Sequence, residues 1–218
     1  MSLIIDIAAI TTLLPVVTAA VSYRKLENKG EKLFALQTLF WSILQFSSWI
    51  WISFHLGSNH FMFNLGYLEE GIILCLAIPY WIKSADWVRR IIKYVIFGYI
   101  LIYVVVIYID GIYVINQKIV YIHNTILCGL SGFVLINLVG NYDGKLLTRF
   151  EFWAASGIFL RYLSMIEIAT LLRFLNNNSA SAGAFEFSEA LVYLICNIIF
   201  AIAFGCYIPK RHYTKLSM

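Results

Sequence analysis

The chain has 218 residues, of which 61% are hydrophobic and 13% charged, with a formal net charge of +4. So apolar a composition excludes a water-soluble globular domain or a disordered chain and points to a polytopic membrane protein. The positive charge lies in short clusters beside apolar runs, which suits anionic lipid headgroups and excludes nucleic acid as a partner.

Seven apolar runs follow in order: approximately Leu3–Tyr23, Leu33–Leu56, Phe61–Ile82, Ile91–Ile109, Tyr113–Val139, Phe152–Leu172 and Ser188–Ile208. Each is close to the roughly 20 residues that cross a hydrocarbon core about 30 Å thick. The predicted fold is therefore all-α: a single seven-helix transmembrane domain over residues 1–218, with no loop long enough for a soluble domain. The first run lacks the positive flank and cleavage site of a signal peptide and reads as a retained helix.

The basic residues set the orientation. Arg24, Lys25, Lys29 and Lys32 follow run one, and Lys83, Arg89, Arg90 and Lys93 follow run three. Lys145 and Arg149 follow run five, and Lys210, Arg211 and Lys215 lie in the tail. The opposite connections hold only Lys118 and Arg173, with Arg161 inside run six. The positive-inside rule then places the N-terminus outside and the C-terminus inside.

Among the connections, Gly57-Ser58-Asn59-His60 is a tight link and Asp110-Gly111 a turn, both on the outer side. Asn176–Ala184 reads as a long, polar, mobile outer loop, and Asn141–Gly144 as a plain inner turn. Pro15 and Pro79 can kink their helices, and Pro209 ends the last run. Trp81, Trp87 and Trp153 fall near span ends, as an interfacial belt requires, and Trp49 and Trp51 are assigned to the same belt.

Ionisable groups at bilayer depth cost roughly 2.5–3.5 kcal/mol each on insertion scales, so each needs a partner or a cavity. Glu69 and Glu70 lie about 12–14 Å down helix three from its outer end. Glu167 and Arg161 lie about 9 and 18 Å down helix six. His123 and Asn124 on helix five, Asn197 on helix seven and Gln45 on helix two come to similar depth. At 100° per residue, Arg161, Ser164 and Glu167 share one arc of helix six, and Asn64, Tyr67 and Glu70 share one of helix three. Glu69 points away from that arc, so Glu70 is the expected partner of Arg161. Three roles fit the set. It can fix helix register, build an outer-half cavity for a ligand or ion, or support catalysis. His123 taken singly also fits a hydrogen-bonded bundle histidine.

Several chemistries lack their residues. Run seven has no lysine to hold retinal as a Schiff base. The histidines, His55, His60, His123 and His212, are too scattered for a metal site. Gly129-Leu130-Ser131-Gly132 is not a nucleophile elbow, since its second glycine comes one residue early. Cys75, Cys128, Cys196 and Cys206 have no ligand spacing and read as small buried side chains. No cofactor or metal is expected.

Three segments carry a family likeness: Asn64-Leu65-Gly66-Tyr67-Leu68-Glu69-Glu70, Ser156-Gly157-Ile158-Phe159-Leu160-Arg161-Tyr162-Leu163 and Leu194-Ile195-Cys196-Asn197-Ile198-Ile199. With the seven-run layout, the chain resembles the seven-helix sensory region of bacterial histidine kinases and small stand-alone seven-helix membrane proteins of Bacteroidota. A tyrosine-rich helix six is common in such proteins, and Arg161 departs from it. The resemblance implies a sensor in the bacterial inner membrane that binds a small-molecule or lipid ligand and signals through a separate cytoplasmic or membrane partner. Two other readings stand beside it. One is a small-solute or proton-coupled transporter with Glu70 and Glu167 as proton carriers, and the other an intramembrane lipid-modifying enzyme using His123 or Glu167.

Overall fold

Helix follows helix along the described residues, with links of at most eight residues between one and the next. The computed structural model describes residues 7–8, 10–54, 58–82, 86–114, 116–141, 145–175 and 179–208. Its helices are α1 (Leu13–Ser22), α2 (Lys29–Ser53), α3 (His60–Ala77), α4 (Asp86–Asp110), α5 (Gln117–Asn141), α6 (Phe150–Leu175) and α7 (Ser179–Gly205). Among the described residues, four stretches are long and apolar enough to cross a membrane: His60–Trp81, Asp86–Asp110, Gln117–Asn141 and Phe187–Gly205. An all-α chain with such helices has the make-up of an integral membrane protein. α2 and α6 are as long but more polar, because α2 holds Gln37, Thr38 and Gln45 and α6 holds Glu151, Arg161 and Glu167. The first few residues of run one, and Pro209 with the basic tail, lie outside the described residues.

The helix ends follow from local chemistry. Asn28 caps α2: its Oδ1 accepts from Glu31 N at 3.0 Å, and Glu31 Oε2 accepts in return from Asn28 N at 3.2 Å and Glu27 N at 2.7 Å. This is a capping box, satisfying backbone donors that a helix start leaves unpaired. Asn116 caps α5 in the same way, accepting from Lys118 N at 3.0 Å. Pro79 removes a backbone donor, and α3 gives way there to a 3-10 turn over Ile78–Trp81.

Two expectations need correction here. The stretch Ser179–Ala184 is not loop but the first turns of α7. Ala180, Ala182 and Ala184 are the strongest helix formers and offset the weaker serines and Gly183; Asn176–Asn178 lie outside the described residues. Trp81 is not in an interfacial belt. It is buried, packed edge-on against Phe34 at 5.7 Å and Phe150 at 6.0 Å, because the 3-10 turn after α3 swings it into the core. Trp87 is exposed, and Trp153 is half-buried with its Nε1 donating to Leu147 O at 2.8 Å.

The bundle closes on itself. Sequential helices pack side by side, α1 returns against α7, and α3 also touches α5 across the interior. One end is knit by aromatic rings, with Phe34 stacked on Phe204 at 5.6 Å and Phe200 edge-on to Phe34 at 5.1 Å. Lys29 and Arg89 meet there over the Tyr80 ring, so the starts of α2 and α4 and the end of α3 share this basic end. α4 packs on α3 and α5 and turns Tyr94, Phe97, Leu101 and Tyr108 outward, an apolar face suited to lipid.

Candidate functional site

Near the middle of α3, Glu70 is buried to 2% exposure and faces two basic side chains from two other helices. Its Oε1 lies 3.3 Å from Arg161 Nη1 of α6, and its Oε2 lies 3.4 Å from His123 Nε2 of α5. Arg161 is 7% exposed and His123 1%. A buried carboxylate with one cationic partner is costly, and a second partner on its free oxygen offsets more of that cost. Glu70 therefore ties α3 to α5 and α6 at mid-height.

Aromatic rings from α2, α6 and α7 surround the guanidinium. Its Cζ stands 4.5 Å from the Trp41 ring centroid, 4.8 Å from Tyr193 and 5.5 Å from Tyr162. Ring faces carry partial negative charge, so they stabilise a cation removed from bulk water, by about 0.5–2 kcal/mol for a good contact. The imidazole is enclosed similarly, with Tyr67 and Tyr162 edge-on at 5.2 Å each. Tyr99 of α4 completes the set. Its Oη donates to Tyr67 O at 2.7 Å and lies 3.1 Å from His123 Nδ1.

Tyr99 reaches this position because Gly71 leaves room for it. A Cβ placed on Gly71 would fall 2.5 Å from the Tyr99 ring, too close for any unshifted packing. Gly157 does the same for the Phe200 ring, where α6 and α7 come close beside Arg161.

A cavity of about 20 Å³ adjoins the cluster, lined by Gln37, Trp41, Glu70, Arg161, Tyr162 and Asn197 among others. It has room for about one water molecule. A larger apolar groove, about 410 Å³, runs between α1 and α2 beside Lys29 and Lys32 and does not touch the cluster.

The residues singled out from the sequence divide into three groups. Glu70, Arg161 and His123 come together, and Tyr67 joins them through its ring and its carbonyl. Asn197 lines the cavity and donates to Thr11 Oγ1 at 3.3 Å; Asn124 is buried beside His123 in sequence, and its Nδ2 has no hydrogen-bond partner. Asn64 works elsewhere. Its Nδ2 donates to Ile112 O at 2.7 Å and Val114 O at 2.9 Å, holding the turn between α4 and α5. Ser164 and Gln45 are half-buried and have no place in the cluster. Glu167 requires a correction: it is exposed on the outside of the bundle. Six residues on from Arg161 is 120° round the helix, turned away from the side on which Ile158, Tyr162 and Ala155 are buried. Glu69, facing away from Glu70, takes Gln37 instead. With the amide turned to donate, Gln37 lies 2.7 and 3.0 Å from the two Glu69 oxygens.

Trp41, Tyr99, Tyr162 and Tyr193 belong to the site and did not stand out in the sequence. Among apolar neighbours they read as lipid-facing or core aromatics; the glycine at position 71, opposite a tyrosine, was the one available hint. Glu31 was also missed as a buried acid, although the signal Asn28-x-x-Glu31 before an apolar run is legible. Burial pushes its carboxyl above the usual range, with hydrogen bonds from Tyr207 and the Asn28 and Glu27 amides acting against that.

Chemically, the cluster can hold fixed charge away from lipid, keep one water and pass a proton between Glu70 and His123. Among the described residues no group of three His, Cys, Asp or Glu is placed to hold a metal ion. What fold and site define is a class: an all-α membrane-type bundle built around a buried Glu–Arg–His cluster. No family model, curated protein or solved structure matches the chain, so the functional reading rests on this geometry.

Proposed function

We propose that this protein is a membrane sensor whose state is set at the Glu70–Arg161–His123 cluster. In this reading seven helices cross the bacterial inner membrane with the N-terminus outside and the C-terminus inside. The polar layer faces the outer half, and the basic end faces the cytoplasm. A change at the cluster shifts α3 against α5 and α6, and a separate partner at the inner face receives that movement.

The observation that carries this reading is that one buried carboxylate links three helices through two basic groups. Such a link has discrete made and broken arrangements, as a two-state element needs. The cavity beside it suits a water or a proton more than an organic solute, which favours a sensor of charge or membrane state over a solute carrier. The test is the host's signalling response in strains carrying Glu70→Gln or Arg161→Gln. Loss of the response supports the proposal, and an intact response in both sinks it. Uptake into proteoliposomes, with and without a pH gradient, is the companion measurement. Accumulation of a solute there would return the transporter reading to first place.

A further inference from the structure

The hydrogen-bond polarity around His123 specifies a proton. Tyr99 has one hydroxyl proton, and at 2.7 Å from the Tyr67 carbonyl it is committed there, because a carbonyl oxygen can only accept. The longer 3.1 Å contact between Tyr99 Oη and His123 Nδ1 must then be made by a proton on Nδ1. Reversing the roles would set two acceptors 2.7 Å apart at Tyr67 O, which is the worse arrangement. In a neutral ring with its proton on Nδ1, Nε2 is a bare lone pair. That lone pair would face Glu70 Oε2 at 3.4 Å, and both atoms are buried without a hydrogen bond. Two opposed acceptors in a site without bulk water repel each other, unless a proton lies between them.

We infer that Glu70 and His123 form a binding site for a single proton between Oε2 and Nε2, occupied at neutral pH with His123 as the imidazolium. Arg161 at 3.3 Å from the other oxygen keeps Glu70 a carboxylate, which leaves the proton on the ring. The cluster then holds two cations and one anion. Its surroundings answer that surplus with the Trp41, Tyr162 and Tyr193 rings on Arg161 and the Tyr67 and Tyr162 rings on His123.

The Tyr162 hydroxyl of α6 also faces Glu70, and the remaining groups near the pair are few. α3 adds Glu69, and α7 adds Glu189 near Tyr67 and Tyr193; both carboxyls are half-buried at the margin. Cys75 of α3 and Tyr103 of α4 stand behind Tyr99, and Cys196 of α7 lies near Arg161. From α2 come Gln37 and Trp41, and from α1 Thr12, none of them charged. Losing the proton turns the α3–α5 contact from attraction to repulsion while Arg161 still holds Glu70. Use of that event as the signal rests on the sensory reading; the proton site itself does not.

The test is nitrogen NMR of histidine-labelled protein in lipid nanodiscs, using a variant that keeps His123 as its one histidine (His55, His60 and His212 replaced by Gln). At pH 7 both ring nitrogens of His123 are expected to be protonated. Adding Glu70→Gln, whose carboxamide donates its own N–H to Nε2, is expected to return the ring to the neutral form protonated on Nδ1. A neutral ring at pH 7 with Glu70 intact would overturn the inference. So would an infrared band of a protonated carboxyl that disappears in Glu70→Gln. Should that variant fail to fold, the Glu70-containing protein alone decides between these results. A confirmed imidazolium together with an unchanged signalling response in His123→Gln would reject the sensory reading and leave the proton site standing.

Discussion

Glu70 serves two partners and Arg161 serves one, and that asymmetry has a measurable consequence. Removing one member of a buried ion pair costs about 3–5 kcal/mol, because the other charge is left unmatched. Glu70→Gln takes the carboxylate charge away from both Arg161 at 3.3 Å and His123 at 3.4 Å, so it is expected at the upper end, about 4–5 kcal/mol. Arg161→Met leaves Glu70 on His123 and loses the ring contacts to Trp41 and Tyr193, for a cost nearer 3 kcal/mol. The double variant carries no unmatched charge at this pair and should be more stable than Glu70→Gln alone by about 2 kcal/mol. The assay is reversible unfolding in mixed micelles with added SDS, followed by helical circular dichroism, for the parent, both single variants and the double. Costs for the two changes that simply add, within about 0.5 kcal/mol, would refute the coupling. Arg161→Met proving worse than Glu70→Gln would refute the assignment of two partners to Glu70.

Gly71→Ala places a methyl group against the Tyr99 ring and should cost about 1–3 kcal/mol in the same unfolding assay. A paired Tyr99→Phe change, which keeps the ring, should not relieve that cost. Asn64→Ala removes both side-chain bonds to the turn after α4 and should speed amide hydrogen exchange there, leaving the Glu70 cluster unaffected. Leu127 is fully buried on α5, and Leu127→Ala is expected to cost about 2–5 kcal/mol through loss of packing and the cavity left behind. Glu31 supplies a pH dependence. Its carboxyl in the folded chain holds its proton more tightly than the ordinary value of 4.5, chiefly because it is buried. Its stabilising contribution is thus full at acid pH and lost as pH rises through the raised value. The melting temperature of the parent relative to Glu31→Gln should fall as pH is raised from about 4.5, and a difference that grows with pH would contradict the assignment.

Which parts were legible in the sequence follows from what each signal depends on. Glu70, not Glu69, facing Arg161 came from helical angle alone, since adjacent residues on a helix point 100° apart. The same reasoning failed for Glu167, because the buried strip of α6 runs from Gly157 past Arg161 to Tyr162 and Ala155, and Glu167 lies beyond its Gly157 edge. Asn64 shared the arc of Glu70 yet serves a turn. Angle says which way a side chain points, and only the neighbouring chain decides what it meets. The α7 start was misread for a different reason: the polarity of Ser179–Ala184 argued for loop, and its alanine content argued for helix.

By itself, the sequence determined the helical class, the presence of membrane-length apolar segments and the clustering of basic residues at alternate connections. Those properties depend on periodicity and composition along one strand of chain. Tertiary structure decided the rest: that α1 closes against α7, that Trp81 turns inward, and that Trp41, Tyr99, Tyr162 and Tyr193 enclose the cluster. Above all it decided that His123 and Arg161, 38 positions apart on different helices, meet at the two oxygens of one carboxylate. Contact between helices is set by side-chain packing across an interface, and no spacing within a single helix encodes it.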